Sequence, residues 1–169
     1  LVIFLFLTLT FTANIVKADI PHFIDFSKVL NQSTAGKKAQ DFLKKKFASE
    51  KNRFKKTEES LKKEETQLIS QKKIITSEEY SKKVEALRKK VSNLQNEKRK
   101  SINDIAKLRS QAKNQLLKAL NPIIKKYMED NKIRLVLDKK SILLGDQNLE
   151  ITKQIIEILN KEVKSLKLN

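Results

Sequence analysis

The chain has 169 residues and a net charge of +17, because 37 Lys and Arg stand against 20 Asp and Glu. It has no cysteine, which excludes a disulfide framework, a zinc–thiolate site and a cysteine nucleophile. With 2 Gly, 2 Pro and 34% charged residues, it has few turn-forming residues and is typical of an elongated helical protein.

Residues 1–18 predict a signal peptide. Residues 1–16 carry no charge, but they are fewer than the roughly 20 apolar residues of a membrane span, and Thr and Asn interrupt them. Val16 and Ala18 are small residues placed as signal peptidase requires for cleavage before Asp19. We therefore expect a cleaved signal and an exported chain, with a retained anchor as the alternative.

Residues 19–34 are expected to form the first part of a small body. The run HFIDF after Pro21 is typical of a strand, and a short helix is expected to follow it.

Residues 35–130 predict a helical hairpin, which we call the arm. The first helix has apolar residues at every seventh position, as in a coiled-coil seam: Phe47, Phe54, Leu61, Leu68 and Ile75. A companion row starts at Leu43 but then turns polar, so the seam is expected to be thin. The tip is expected near residues 74–79, where Thr76 or Ser77 precedes two Glu residues and predicts a helix N-cap.

The second helix of the arm carries apolar residues at steps of three and four: Tyr80, Val84, Leu87, Val91 and Leu94, then Ile105, Leu108, Ala112, Leu116 and Leu120. Two helices of similar length joined by a short polar turn form an antiparallel hairpin. About 40 residues at 1.5 Å each give an arm of about 60 Å. Asn121 and Pro122 are expected to break, kink or restart the second helix.

Residues 131–169 are expected to complete the body with two strands and a helix. Alternation from Ile133 to Leu137 predicts one strand, residues 141–144 predict another, and Gly145 and Asp146 predict a turn after it. Apolar residues at helical spacing then predict an amphipathic C-terminal helix. A body this small, with bare sheet edges, favours oligomerisation.

Several segments of the chain resemble the Skp/OmpH family of periplasmic chaperones for outer-membrane proteins. They are FIDFSKVL and STAGKKAQDFLKKKF near the start, and RLVLD, SILL and LEITKQII near the end. Glu150 stands where the family more often has Asp. The resemblance implies an α+β, predominantly helical fold, in which a long antiparallel hairpin projects from a small β body that trimerises around a central cavity.

The resemblance also implies a function and partners. The chain is expected to be an ATP-independent periplasmic holdase that captures unfolded outer-membrane β-barrel proteins between basic arms and prevents their aggregation before membrane insertion. Anionic lipid or lipopolysaccharide is a further candidate partner.

Client-binding candidates combine positive charge with apolar groups outside the seam. They are Lys44, Lys45, Lys46, Arg88, Lys89, Lys90, Lys98, Arg99 and Lys100, together with Phe42 and Ile74. A field of one sign attracts acidic chains over about 8 Å at physiological salt. The alternative interpretation of each basic run is a solvated helix face. Phe47 and Phe54 obey the seven-residue repeat and are expected in the seam.

Two other functions fit the charge or the helices. A basic coiled-coil protein that binds nucleic acid or other polyanions is the main alternative, but no nucleic-acid module is recognisable and only 6% of residues are aromatic. We therefore expect no physiological nucleic-acid partner. A purely structural coiled-coil spacer is the third interpretation.

Nothing in the sequence indicates an enzyme. His22 has no catalytic partner at a suggestive spacing, and Asp25 and Asp138 lack further ligands at metal-binding spacing. No phosphate-binding G-x-x-x-x-G-K-[ST] loop occurs. We expect no catalytic residue, metal or cofactor.

Overall fold

The computed structural model describes residues 20–168, so the expected signal peptide lies outside the described residues. Helices dominate this part of the chain, as predicted. The elements are β1 (His22–Ile24), α1 (Phe26–Gln32), α2 (Thr34–Gln71), α3 (Ser77–Asp130), β2 (Val136–Asp138) and α4 (Thr152–Glu162). Single 3₁₀ turns lie at Lys139–Ser141 and Gln147–Leu149.

Helices α2 and α3 pack along each other as a hairpin. Their 38 and 54 residues correspond to lengths of about 57 and 81 Å. The N-cap prediction at the start of α3 is confirmed: the Thr76 hydroxyl accepts a hydrogen bond from Glu79 N–H, and the Glu79 carboxylate accepts one from Thr76 N–H. The two helices are thus joined by a turn of only a few residues after Gln71.

The predictions of a break and of a restart at Pro122 are both wrong, because α3 continues through this residue. Proline removes the hydrogen bond to the carbonyl of Lys118. Lys118 and Pro122 both lie on the exposed face, so water can bind the released carbonyl. The buried residues Leu120 and Ile123 on the opposite face anchor the helix to the core on both sides of the proline.

Apolar side chains are buried along the seam between α2 and α3, but a polar stretch around Glu50 and Arg53 interrupts them. Leu43, Leu68, Leu94 and Leu108 are buried in it. The prediction that Phe47 lies in the seam is wrong, because its side chain is 55% exposed. The next seam position is Glu50, which bonds Ser101 of α3, so polar side chains fill the interface beside Phe47.

The hydrophobic core of the body lies at the base of the arm. Side chains of α1, α2, α3 and α4 meet there, and its most buried members are Val29, Ala35, Leu116, Leu120, Ile155 and Leu159. Gly36 permits α1 and α2 to approach closely, since a Cβ at this position would lie 2.1 Å from the carbonyl oxygen of Leu30. The arm therefore grows directly from the core.

Strand β1 forms at the predicted HFIDF segment and pairs in parallel with β2. His22 aligns with Val136 and Ile24 with Asp138. The carbonyl of Phe23 accepts a hydrogen bond from Ile151 N–H at 3.0 Å, so the segment before α4 joins the other side of β1. The strand predicted from Ile133 begins only at Val136.

The late start of β2 follows from how α3 ends. Lys132 has a positive φ of 55°, and Ile133 N–H donates to the carbonyl of Met128 at 2.8 Å, which is the pattern of a Schellman cap. Ile133, where alternation predicted the strand to begin, is therefore part of the cap of α3.

The strand predicted at residues 141–144 is not formed in the described chain. Ser141 ends a 3₁₀ turn, and Leu143 and Leu144 are 96% and 90% exposed. Strand formation needs a partner with free backbone groups, and within residues 20–168 the sheet pairs β1 with β2 and does not include this segment.

Candidate functional site

Most of the excess positive charge lies on the arm. Residues 35–130 contain 27 Lys and Arg and 13 Asp and Glu, a difference of +14 out of +17 for the chain. The first basic run, residues 44–46, lies on α2, and the runs at 88–90 and 98–100 lie on α3. The arm therefore presents a positive field along its length.

The three basic runs lie at different levels of the arm. The register of the hairpin is marked by an ion pair between Lys90 and Glu64 at 2.6 Å and another between Arg53 and Glu97 at 2.9 Å. Residues 88–90 thus face the α2 level of residue 64, whereas residues 44–46 lie about 27 Å nearer the body. The runs form a ladder of positive sites and not one patch.

Two of the predicted client-binding lysines are engaged between the helices. Lys90 pairs with Glu64, and Lys98 is half-buried and pairs with Glu58. The other members are exposed and form no ion pair within residues 20–168; they are Lys44, Lys45, Lys46, Arg88, Lys89, Arg99 and Lys100. These seven side chains remain accessible to an acidic partner.

Charged side chains hold the middle of the arm together in what we call the polar junction, formed by Glu50, Arg53, Glu97 and Ser101. The Arg53 guanidinium donates to Glu50 and to Glu97, each at 2.9 Å, and Ser101 donates to Glu50 at 3.3 Å. The hydrogen bond from Arg53 holds the pKa of Glu50 below its usual value, and the bond to Glu97 raises the pKa of Arg53. At this level of the arm, the ion pair and hydrogen bonds of the polar junction connect α2 and α3 in place of apolar packing.

Beside the polar junction lies an open apolar recess of about 340 Å³, which we call the Phe47 groove. Phe47 and Phe54 of α2 and Ile102 and Ile105 of α3 line it. Phe47 is 55% exposed and Ile102 63% exposed. Periodicity alone did not predict this site; the signal in the sequence is that Ile102 is apolar but lies outside the apolar rows of α3.

Phe42 and Ile74, predicted as client contacts, are both accessible, but the structure does not bring them together. Phe42 is partly exposed near the base of the arm, whereas Ile74 is 81% exposed at the tip. The separation between Phe42 and Ile74, which follows the end of α2, is on the order of 45 Å along the arm. A groove of about 850 Å³ lies between the helices near the tip, and Val91 is one of the residues that line it. Val91 belongs to the apolar row predicted for α3, but its side chain is exposed.

Glu150 connects three parts of the body. Its carboxylate accepts hydrogen bonds from Lys139 Nζ at 2.7 Å, from the Thr152 hydroxyl at 2.9 Å and from Lys28 Nζ at 3.2 Å. Thr152 in turn accepts a bond from Asp25 N–H. The bond from Lys139, followed by those from Thr152 and Lys28, lowers the pKa of Glu150 to about 2 against the cost of its partial burial.

Residues 20–168 contain no cluster of three or more His, Cys, Asp or Glu side chains placed to hold a metal ion. Within the same residues, no helix has the length and apolar character needed to cross a membrane. His22 lies in β1, and its ring nitrogen contacts the carbonyl of Ile20 at 3.2 Å.

Comparisons with known proteins agree with the resemblance noted in the sequence. Residues 22–159 match a family model described as outer membrane protein (OmpH-like). The fold is similar to the crystal structure of a candidate outer membrane chaperone (OmpH-like) from Caulobacter crescentus CB15, with a TM-score of 0.83 and 18% identity over 89% of this chain and 90% of that chain. No curated protein sequence matches. Neither match supports the alternative of nucleic-acid binding.

Proposed function

Because the chain belongs to the OmpH-like outer membrane protein family, we propose that it is a periplasmic holdase chaperone that binds unfolded outer-membrane proteins without ATP. The observation that carries this proposal is an arm with a net charge of +14 whose exposed cations alternate with exposed apolar side chains. Such a surface binds an unfolded polypeptide through many weak contacts. It has no need of a cofactor or a catalytic group.

The assembly we propose is a homotrimer that joins the bodies of three copies. Leu143 and Leu144 are almost fully exposed at the edge of the body, and the outer edge of β2 is unpaired within the described chain. Contact between copies would remove this apolar surface from water and pair the free backbone groups. Three arms would then enclose a space with positive walls.

Capture of the client begins with electrostatic attraction in this proposal. The exposed cations of the basic runs attract an acidic unfolded chain over about 8 Å at physiological salt and speed its encounter. Retention then depends on apolar contacts with accessible groups such as Phe42, Phe47 and Ile74. Each contact is small and solvent-exposed, so the client exchanges among them and leaves when a more stable state is available.

Light scattering tests the proposal directly. A urea-denatured outer-membrane β-barrel protein is diluted into buffer with or without an excess of the purified mature chain, and aggregation is followed as turbidity. We expect strong suppression by the chain and none by lysozyme, a folded basic protein that serves as the control for charge alone. Equal turbidity with and without the chain would contradict the proposal.

The assembly has its own test, the mass of the mature protein in solution. Multi-angle light scattering is expected to give three times the protomer mass. A monomer at micromolar concentration would contradict the enclosed space between arms.

A further inference from the structure

We propose that the Phe47 groove is a docking site for one large apolar side chain of an extended acidic polypeptide, whose neighbouring carboxylates bind Lys51 and Lys55. The inference rests on the proposed function only in taking the client as the occupant. It assigns a specific site to contacts that are otherwise spread along the arm.

The shape of the groove fits a single side chain. Its volume of about 340 Å³ lies at the lower end of the range for ligand pockets, which is enough for one aromatic or large aliphatic group and too small for a folded element. Phe54 is buried at the groove and provides a fixed wall, while Phe47 and Ile102 stand exposed at its sides. An inserted side chain would cover both exposed groups.

The wall at Phe54 is held in place before any ligand arrives. The Arg53 guanidinium lies 4.3 Å from the centroid of the Phe54 ring, which is cation–π contact distance. The same guanidinium is bound by Glu50 and Glu97 across the two helices. The groove is therefore preformed, which lowers the cost of ordering on binding.

The charges around the groove select an acidic partner. Both acidic residues that line it are already paired, Glu50 with Arg53 and Glu58 with Lys98. Of the remaining cations, Lys51 forms no ion pair within residues 20–168, and Lys55 has only a long contact of 3.9 Å to Glu59. Two cations are left without a close counter-ion.

The positions of Lys51 and Lys55 match the expected ligand. Together with Phe47 they follow one stripe of α2 at steps of four residues, so both lysines line the α2 side of the groove. An apolar side chain in the groove would place the carboxylates of adjacent residues near them. A second copy of the arm is a poor occupant, because its own net charge is +14.

Intrinsic fluorescence tests the site, because the chain contains no Trp. The full mature protein with Phe47→Trp is titrated with an unlabelled nonapeptide that has a central Phe between Asp residues. The matched control is Ile74→Trp at the tip, where the side chain is also exposed but does not line the Phe47 groove. We expect a saturable change in emission for Phe47→Trp and only a small, non-saturating change for Ile74→Trp, where contact with the peptide is weak and has no defined site; an equal response at both sites, or none at residue 47, overturns the proposal.

Three further measurements separate the roles of shape and charge. In the Phe47→Trp protein, Ile102→Asn is expected to weaken peptide binding about five- to tenfold, whereas Ile69→Asn, at a similarly exposed position outside the groove, is expected to leave it unchanged. Two altered peptides are tested on the Phe47→Trp protein, one with Ser in place of Phe and one with Lys in place of Asp. Each is expected to bind at least as weakly as the original peptide binds the Ile102→Asn protein. Equal binding of the Lys and Asp peptides, or equal effects of the two Asn substitutions, overturns the assignment.

The result is distinguishable from failure of the proposed function. If the unmodified chain suppresses aggregation of a denatured β-barrel protein but the Phe47→Trp protein does not respond to peptide, the groove assignment is wrong and the holdase function stands. If a peptide response occurs without any suppression of aggregation, the groove binds acidic peptides and the holdase function is wrong.

Discussion

The hydrogen bonds of Glu150 make the stability of the body depend on pH. The pKa of this carboxyl is about 2 in the folded protein against an ordinary value of 4.5. A depressed pKa contributes stability that is fully present above the unfolded value and is lost as the pH falls through the folded value. The contribution of Glu150 is therefore present at neutral pH and disappears between about pH 4.5 and pH 2.

The magnitude follows from the shift and from the exposure of the partners. At about 1.4 kcal/mol per pKa unit, the shift sets an upper bound of about 3 kcal/mol. The side chains of Lys28 and Lys139 are nearly half-exposed, so solvent screens both ion pairs and we expect about 1–2 kcal/mol. Glu150→Gln removes the titrating group but keeps an oxygen that can accept the hydrogen bond from Thr152.

The assay is urea unfolding followed by circular dichroism at pH 7 and at pH 3, at one protein concentration because association also contributes to stability. We expect Glu150→Gln to be less stable than the unmodified protein by about 1–2 kcal/mol at pH 7 and by much less at pH 3. Glu157→Gln is the control, since Glu157 is exposed on α4 and forms no ion pair within residues 20–168. A difference between Glu150→Gln and the unmodified protein that is the same at both pH values would refute the reasoning.

The remaining predictions concern the base of the arm, the charge and the assembly. Gly36→Ala is expected to destabilise the body by about 2–4 kcal/mol in urea unfolding, because its Cβ would overlap the Leu30 carbonyl; a change below about 0.5 kcal/mol contradicts this. Changing the three lysines at 44–46 to Gln is expected to slow client capture in stopped flow at low salt and to flatten its salt dependence; unchanged rates contradict it. Leu143→Asn with Leu144→Asn is expected to shift sedimentation toward the monomer, and an unchanged oligomer contradicts the proposed contact.

The long elements of the fold were predictable because they depend on local features. The seven-residue repeat and the three- and four-residue steps predicted the helices, and the short side chain of Thr76 before acidic residues predicted the start of α3. The prediction of a strand at residues 141–144 was wrong because strand formation does not depend on local features alone. Its apolar residues suit a sheet, but a strand also needs a hydrogen-bonded neighbour, and within residues 20–168 the sheet pairs β1 with β2 and leaves this segment out.

Phe47 shows why the candidate site could not be found from periodicity alone. A repeat identifies which residues share one face of a helix, but burial also depends on what the opposite helix places at the same level. At the level of Phe47 the second helix contributes Ser101, whose bond to Glu50 fills the seam with polar groups and leaves the ring at the edge. The register that brings Glu50 and Ser101 together is marked by ion pairs between residues far apart in the sequence, such as Arg53 with Glu97, which are 44 positions apart. An apolar residue that obeys the repeat but lies next to a polar seam position is therefore a candidate for an exposed binding group. Such residues can be identified from a sequence by aligning the two helices of the hairpin and comparing them level by level.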